Sequence, residues 1–410
     1  MSSKIKGVIL SIEDTLFQQG KSDSAVLDEV GKLINFFKSR QIDFVIFTNR
    51  NWTMGEGRRP LKDALFEKWG RFTYLSRADD SSIPPKPRAA ATQYVLDKMG
   101  WTDIETVYVG ASENDMRTAV NGNLLFLRAT WYANKTDYGF EFSSPKEIAR
   151  FIDTFCLRDH LWFYEIRDGD FSYNALAPFS TMRPEYTPYS SDARATAKYG
   201  LGHLDFWVGA LVSSLYFSGM HKEIDYISGY PGHQRGSANV MDEAMAIFGK
   251  CFRKRFLPDL IQRHTTATKM QTARNNGVRV DHTIQLDSIN LTQYPQMTSE
   301  KRFKSSPLGK GKTVLLIDDF CTRGYSLEAA RVFIEQTGAK SKSVTWLKTI
   351  NSDIERLGIF PKFDPYGPNA FLNVTPLKSY SYRNYIVDQG APFELGEILK
   401  SYLAWDWPSN

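Results

Sequence analysis

The sequence predicts an α/β protein made of two parallel-sheet domains in tandem, with a small hairpin connector between them and an aromatic C-terminal extension. Three observations carry this. Through the first 150 residues, short apolar runs alternate with helical stretches, the pattern of a parallel sheet covered on both faces. Residues 161–176 are aromatic and β-rich around the turn Arg167-Asp168-Gly169-Asp170, which predicts a hairpin. A second alternation follows Lys198 and contains the most chemically informative stretch, T-V-L-L-I-D-D-F-C-T-R-G-Y-S-L at 313–327.

In chain order, strands are expected from Val8 (V-I-L-S-I-E-D-T-L-F) and at 43–48, 72–76, 106–110 and 124–128, with a helix start at 143–148. Residues 177–191, with Pro178, Pro184 and Pro188 among Ser, Thr and Tyr, predict an ordered connector rather than a helix. After Lys198-Tyr199-Gly200 comes the most apolar helix, 204–217. It is shorter than the ~20 residues a bilayer span needs and carries Asp205, so it belongs to the core. A strand at 224–228 leads to the turn G-Y-P-G-H-Q-R-G at 229–236. Residues 314–317 have the β-branched and leucine character of a strand buried on both faces, which puts Asp318 and Asp319 at its carboxyl end. A turn around Gly324 and a helix over 327–336, stopped at Gly338, complete the unit. The expected domains are 1–150, a hairpin and connector over 151–195, 196–350, and an extension over 351–410.

With 410 residues, 42% of them apolar, the chain can build two or three cores. A net charge of +5 is compatible with anionic small substrates and with weak nucleic-acid contact, and selects neither. Basic runs at 253–255 and 310–312 are either a phosphate-binding surface or solvated faces. Cys156, Cys251 and Cys321 form no C-x-x-C pair and the six histidines no metal-ligand spacing, which argues against a disulfide framework or a zinc site. Met1 is followed by Ser2, Ser3 and Lys4 rather than a secretory signature, so the expected compartment is the cytoplasm, with no membrane partner.

Ligands of open α/β sheets bind beyond the carboxyl ends of the strands, and the free amides of a helix start favour a phosphate. At 313–327 the chain resembles the phosphoribosyltransferase family, whose signature is an apolar strand, two acids and a T-T-G-x-T type loop. The resemblance implies that Asp318 and Asp319 hold the ribose hydroxyls of phosphoribosyl pyrophosphate, and that Thr322, Arg323, Gly324, Tyr325 and Ser326 wrap its 5′-phosphate. Arg323 departs from the usual hydroxyl residue; it either adds charge to the phosphate or points to solvent. The order of Lys198-Tyr199-Gly200, a strand, a Pro-containing turn, Arg235-Gly236 and Asn239 resembles the ComF-type branch, as do Arg263, His264, Lys269 and Gln271. On that reading Ser228, Gly229 and Tyr230 open the pyrophosphate loop, where glycine permits close backbone approach, and Arg235 and Lys269 neutralise the leaving group. Mg²⁺ is the implied cofactor, held by Asp318 and Asp319 only indirectly, through the bound sugar pyrophosphate. The tail aromatics Phe363, Tyr366, Phe371, Tyr380, Tyr382, Tyr385 and Trp405 either stack an acceptor base or pack the extension.

The strand ends of the first domain resemble the haloacid dehalogenase superfamily of phosphatases, and so imply two Rossmann-like domains in all. The motif positions are Ser11, Glu13 and Thr15, then Thr48, Lys86, and Ala111 to Asp115. Ser11 stands where the family has its nucleophilic, metal-binding aspartate, and Ala111 replaces one acid of the last motif. A serine cannot form an aspartyl-phosphate, so the resemblance implies a pseudophosphatase that either retains phosphate binding at Thr48 and Lys86 or serves as a docking platform.

The function these resemblances imply is a Mg²⁺-dependent transfer from phosphoribosyl pyrophosphate to a base, nucleotide or nucleic acid. The architecture also resembles modular bacterial stress and phage-defence systems, including retron-associated effectors, with a protein or nucleic-acid partner in a larger complex. A nucleotide-sensing or assembly subunit and a nucleotide-cleaving toxin are the alternatives.

Overall fold

The structure is a computed structural model that describes residues 5–18, 23–55, 58–232, 240–265, 281–298, 300–372 and 374–408. Its first sheet has six parallel strands in the spatial order Thr73–Ser76, Asp43–Thr48, Gly7–Leu10, Thr106–Gly110, Leu125–Ala129 and Phe140–Phe142. Five were legible in the sequence. The sixth, Phe140–Phe142, is an edge strand of three residues, too short to show a period. Val8, Ile9 and Leu10 are buried, as expected of a strand covered on both faces. From that central strand the chain runs outward on one side, then returns to build the other. The crevice where the order reverses therefore lies beyond Leu10 and Gly110, beside Ser11 and Ala111.

The second sheet is mixed. Its order is Arg255–Phe256, Tyr226–Gly229, Thr313–Cys321, Lys340–Thr349, Phe171–Phe179 and Tyr164–Asp168, with only the last pairing antiparallel. Here too the order reverses, between Tyr226–Gly229 and Thr313–Cys321.

Three expectations are corrected. The hairpin is not a connector: Phe171–Phe179 pairs with Lys340–Thr349 from Tyr173↔Ser343 to Phe179↔Thr349, so both its strands are part of this sheet. Residues 177–179 finish that strand, and Thr187–Tyr199 is a helix. Proline density there reads as a break, yet Pro188 sits in the first turn, where its missing N–H leaves no helical bond unmade. The acid-bearing strand does not end at Ile317. It continues to Cys321 because Lys340–Thr349 goes on pairing with it, Asp318↔Thr345 and Cys321↔Lys348, whereas Tyr226–Gly229 stops opposite Ile317. The acids thus stand on a strand paired on one side only.

The helix Leu204–Phe217 is buried from Phe206 onward, as its composition predicts. It joins the two halves: Trp207 stacks on Trp346 of the second sheet with centroids 5.3 Å apart, and the Tyr216 hydroxyl donates to the carbonyls of Asp103 and Thr106 in the first half. One apolar cluster consequently runs from Val8 to Leu347 and on to Leu399 of the C-terminal helix Ala391–Leu403. The tail aromatics mostly pack. Phe363 and Phe371 meet Phe333 edge-on, Tyr380 stacks on Phe171, Tyr382 stacks on Tyr164, and Trp405 packs against Phe36. Among the described residues no helix is long and apolar enough to cross a membrane.

Candidate functional site

At the reversal point of the second sheet, Asp319 is buried and its Oδ2 accepts from Lys198 Nζ at 2.5 Å, while its Oδ1 accepts the Phe320 amide at 2.7 Å. Asp318 Oδ1 accepts the Asp319 amide at 2.9 Å. Burial, followed by the charge of Asp319, holds the Asp318 carboxyl well above the usual carboxylate range. Burial works against the Lys198 charge too, but the Asp319 carboxylate more than offsets it and raises the ammonium above its ordinary value. Lys198 comes from the last turn of the helix Thr187–Tyr199, which the sequence had registered only as part of a K-Y-G segment.

The following loop is built on Gly324, whose φ of 81° is left-handed and favours glycine. The helix opens at Tyr325, one residue later, so Ser326 lies inside the first turn rather than before it. Arg323 does not face a phosphate position alone: its guanidinium donates to Tyr325 Oη at 3.3 Å and to Glu355 at 3.4 Å. Thr322 Oγ1 bonds Thr349 Oγ1 at 3.0 Å, and its carbonyl accepts from Lys348 at 2.6 Å. Lys348 was not singled out in the sequence. Its buried Nζ also donates to the carbonyls of Thr349 and Ser352, at 3.2 and 2.5 Å, and to Ser352 Oγ at 2.7 Å. Burial lowers this ammonium from 10.5 to about 8. The overlooked signal is a lysine inside the buried run V-T-W-L-K-T, a place where an unpaired charge is rare.

Across the crevice, Ser228 is buried, with its hydroxyl donating to the Leu257 carbonyl, and Gly229 ends its strand opposite Ile317. Tyr230 donates to Gln285 at 2.7 Å beneath the guanidinium of Arg263. Arg263 is the organiser of this turn: it donates to the Gly232 carbonyl at 2.8 Å, Ser288 Oγ at 2.5 Å and Gln285 at 3.2 Å. His264 continues that segment, its amide bonded to the Ser288 carbonyl. Arg235, Asn239, Lys269 and Gln271 lie outside the described residues.

In the first half, three of the motif residues converge. Lys86 Nζ donates to Asp115 Oδ1 at 2.7 Å, Tyr108 Oη at 2.9 Å, Ser11 Oγ at 3.3 Å and the Phe47 carbonyl at 3.4 Å. Asp115 also accepts from Ser112 N and Oγ, at 3.1 and 2.7 Å, and reaches the strand end because Gly110 has no Cβ to strike it. Burial opposes its charge, but Lys86 and the serine donors hold Asp115 below the usual range. Glu13 and Thr48 do not join this network. Glu13 faces outward to Arg50 at 3.5 Å, and Thr48 Oγ1 accepts from the Arg50 amide and the Trp52 indole, both at 3.1 Å.

Asp115→Ala is expected to destabilise the protein by about 3–5 kcal/mol, because it strands a buried ammonium. Urea unfolding followed by tryptophan fluorescence measures this. The lowered carboxyl contributes stability that is present above its unfolded pKa and lost as pH falls through the folded value, so the gap between wild type and variant closes in acid.

No protein-family model matches the sequence, and no curated protein matches it. Among solved structures the chain is similar to a HAD-superfamily hydrolase, subfamily IA, from Geobacter sulfurreducens, at 16% identity over 35% of this chain and 97% of that one, TM-score 0.26. It is similar to the cobalt-bound deoxy-D-mannose-octulosonate 8-phosphate phosphatase of Haemophilus influenzae at 15% identity over 35% and 80%, TM-score 0.26. A third, a HAD-superfamily hydrolase from Ehrlichia chaffeensis, shows 19% identity over 33% and 62%, TM-score 0.24.

Proposed function

We propose that the second half transfers a ribose 5-phosphate group from phosphoribosyl pyrophosphate to a small acceptor. The observation that carries this reading is the placing of Asp318 and Asp319 where the strand order reverses, between the Arg263-clamped turn 229–232 and the Gly324 loop that opens a helix. The acids favour positive charge developing at the ribosyl C1, and the helix start offers amides to the 5′-phosphate. Lys198, half exposed and bonded to Asp319, yields that carboxylate to the ribose diol. Mg²⁺ fits this site only together with its substrate. Among the described residues no three acids, histidines or cysteines converge, but the pyrophosphate oxygens of the bound substrate, with water, are a donor set a hard, partly hydrated cation takes, and Asp318 and Asp319 would position it through the ribose they hold. Bound there, it stabilises charge on the departing pyrophosphate.

A cavity of about 270 Å³ opens at the same edge of the sheet, beside Ile350 and Asn351, which follow the Lys340–Thr349 strand. Tyr186, Tyr382 and Phe393 line it, with Arg183 and Gln389 as polar partners, a composition suited to a flat heteroaromatic acceptor. For the first half we read a haloacid dehalogenase-like fold without phosphatase chemistry. Lys86 and Asp115 are spent on each other and on Tyr108, and Ser11 cannot carry a phosphoryl group as an acyl phosphate. A binding-only subunit is the second reading, favoured by the engagement of Asp319 with Lys198.

Incubation with Mg²⁺, phosphoribosyl pyrophosphate and a panel of bases, nucleotides and nucleic acids, followed by mass spectrometry, is expected to give pyrophosphate and a ribosylated product, with no hydrolysis of common phosphomonoesters. Binding of phosphoribosyl pyrophosphate without turnover in any mixture would favour the binding-only subunit instead.

A further inference from the structure

The basic runs at 253–255 and 310–312 come together at the amino-terminal edge of the second sheet. Arg255 pairs with Tyr226 and Tyr226 with Val314, so Lys254, Asp225 and Thr313, each one residue earlier, stand side by side on adjacent strands. Asp225 accepts from Lys312 Nζ at 3.1 Å and from the Thr313 amide at 2.9 Å, and its charge also reaches Lys254. A third basic segment, 301–304, folds against the same edge. Arg255 donates to the Met297 carbonyl at 2.8 Å, its guanidinium lies 5.7 Å from the centre of the Phe303 ring, and that ring meets Tyr226 edge-on with centroids 6.3 Å apart. The three segments carry eight cations, and the acids bonded or adjacent to them are Asp225, Asp259 and Glu300, an excess of five that equals the net charge of the whole chain. Among the described residues only Arg302, with Asp259 at 2.7 Å, and Lys312 form ion pairs here. Arg253, Arg255, Lys301, Lys304 and Lys310 are exposed and form none among the described residues. Farther along the edge the charges cancel, Lys222 pairing with Asp103, Lys342 with Glu223 and Lys340 with Asp170. Glu335, in the helix that ends near Lys310, is bonded to Arg331.

Five exposed, unpaired cations on one edge repel one another, and a chain of phosphates relieves that repulsion while releasing its own counterions. Apolar side chains stand among them: Tyr294, whose carbonyl accepts from Arg302 at 3.0 Å, is 44% exposed and Met297 36%. An exposed aromatic ring beside cations suits unpaired bases, which stack on it, whereas a duplex keeps its bases stacked inside. A bilayer surface is met by an amphipathic helix or an apolar anchor, and this edge is made of strand starts and loops. We propose that the amino-terminal edge of the second sheet binds single-stranded nucleic acid, with phosphates along Arg253, Lys310 and their neighbours and a base against Tyr294. The bound strand lies away from the acid crevice, because six residues of extended chain, about 20 Å, separate Lys312 from Asp318. It anchors the protein and does not depend on transfer at the crevice.

Fluorescence anisotropy of labelled 20-residue oligo(dT) and oligo(U) with the full chain tests this. Saturable binding of either strand is expected, weakening about a hundredfold between 50 and 200 mM salt, as neutralising about five phosphates requires. Joint Arg253→Glu and Lys310→Glu reversal should weaken it at least a hundredfold, and Tyr294→Ala about tenfold. Joint Lys62→Glu and Arg71→Glu reversal, which changes net charge equally but lies beside the outermost strand of the first sheet, should leave it within about threefold, as should Asp319→Asn. No binding of either strand at 50 mM salt overturns the site, as does equal weakening by the two double reversals, which would reduce the effect to net charge. A duplex of the same length bound as tightly, with Tyr294→Ala unchanged, would remove the bases from recognition and overturn the single-strand assignment. Phosphatidylserine vesicles bound through Arg253 and Lys310 in place of either strand would make the edge a membrane surface instead. Loss of binding in Asp319→Asn would move the strand to the acid crevice. A protein without transferase activity that binds a strand through Arg253 and Lys310 still supports this surface, so it and the transferase reading fail separately.

Discussion

Asp318→Asn is expected to cut turnover sharply while making the protein more stable. In the folded state burial, and then the charge of the neighbouring Asp319, raise the Asp318 carboxyl well above its normal range. A carboxyl whose folded pKa is raised binds more protons in the native state, so its contribution to stability falls as pH rises from the unfolded value through the folded one. The penalty grows as pH rises above the unfolded value, and an isosteric amide removes it. The gain should be about 0.5–2 kcal/mol, the usual size of such relief at a functional site. Turnover should drop by about 10²–10³-fold, the scale of losing one electrostatic partner of a developing charge. Asp319→Asn should lose activity as severely without the same gain, since it strands Lys198. Thermal melts at pH 4 and 7.5 alongside pyrophosphate release measure both effects. An Asp318→Asn variant with wild-type activity would remove the acid from the site; one less stable at pH 7.5 would contradict the electrostatic account.

The sequence shows the parts of this protein that depend on local pattern. Strands at 43–48 and 106–110 and the helix at 204–217 fall where their apolar runs place them, because, apart from Asp43, Leu204 and Asp205 at their starts, they are buried on all sides. What it hides is set by partners far away in the chain. The acid strand runs on to Cys321 only because Lys340–Thr349 keeps pairing with it, and nothing in D-D-F-C announces that. Residues 187–191 read as part of an ordered connector until Pro188 is placed in the first turn of the helix Thr187–Tyr199. The charged members of the site divide in the same way. Asp318 and Asp319 stand out because two acids end an apolar run, whereas the pairing of Lys198 with Asp319 spans 121 residues and the grip of Lys86 on Asp115 spans 29. Tyr108, the ring that closes the first-half network, looks like any aromatic residue in a strand.

Loss of Lys348 should cost as much stability as loss of Asp115. Its ammonium serves the carbonyls of Thr322, Thr349 and Ser352 and the Ser352 hydroxyl, and lies over the rings of Tyr164 and Tyr382, 5.8 and 5.6 Å from their centroids. Lys348→Met keeps the bulk and removes every donor. The part-buried carbonyls of Thr322, Thr349 and Ser352 lose a charged donor at about 1–3 kcal/mol each, and the Ser352 hydroxyl, which also donates to the Thr322 and Thr349 carbonyls at 3.0 and 2.7 Å, covers part of the loss, so the expected destabilisation is about 3–5 kcal/mol. A packing role alone would end there, but the titration adds a second signature. With a folded pKa of about 8 against 10.5 when unfolded, the native state binds fewer protons between those values, so this group's contribution to stability rises with pH through that window. Transferase activity should move the other way. As the ammonium deprotonates above pH 8, the Thr322 carbonyl loses its charged donor and the phosphate loop loses definition, so turnover declines while the fold does not weaken. Lys348→Met should show low activity without that alkaline limb. A wild-type profile that is flat from pH 7 to 9.5 would refute the coupling of Lys348 to the loop, whatever the variant does to stability.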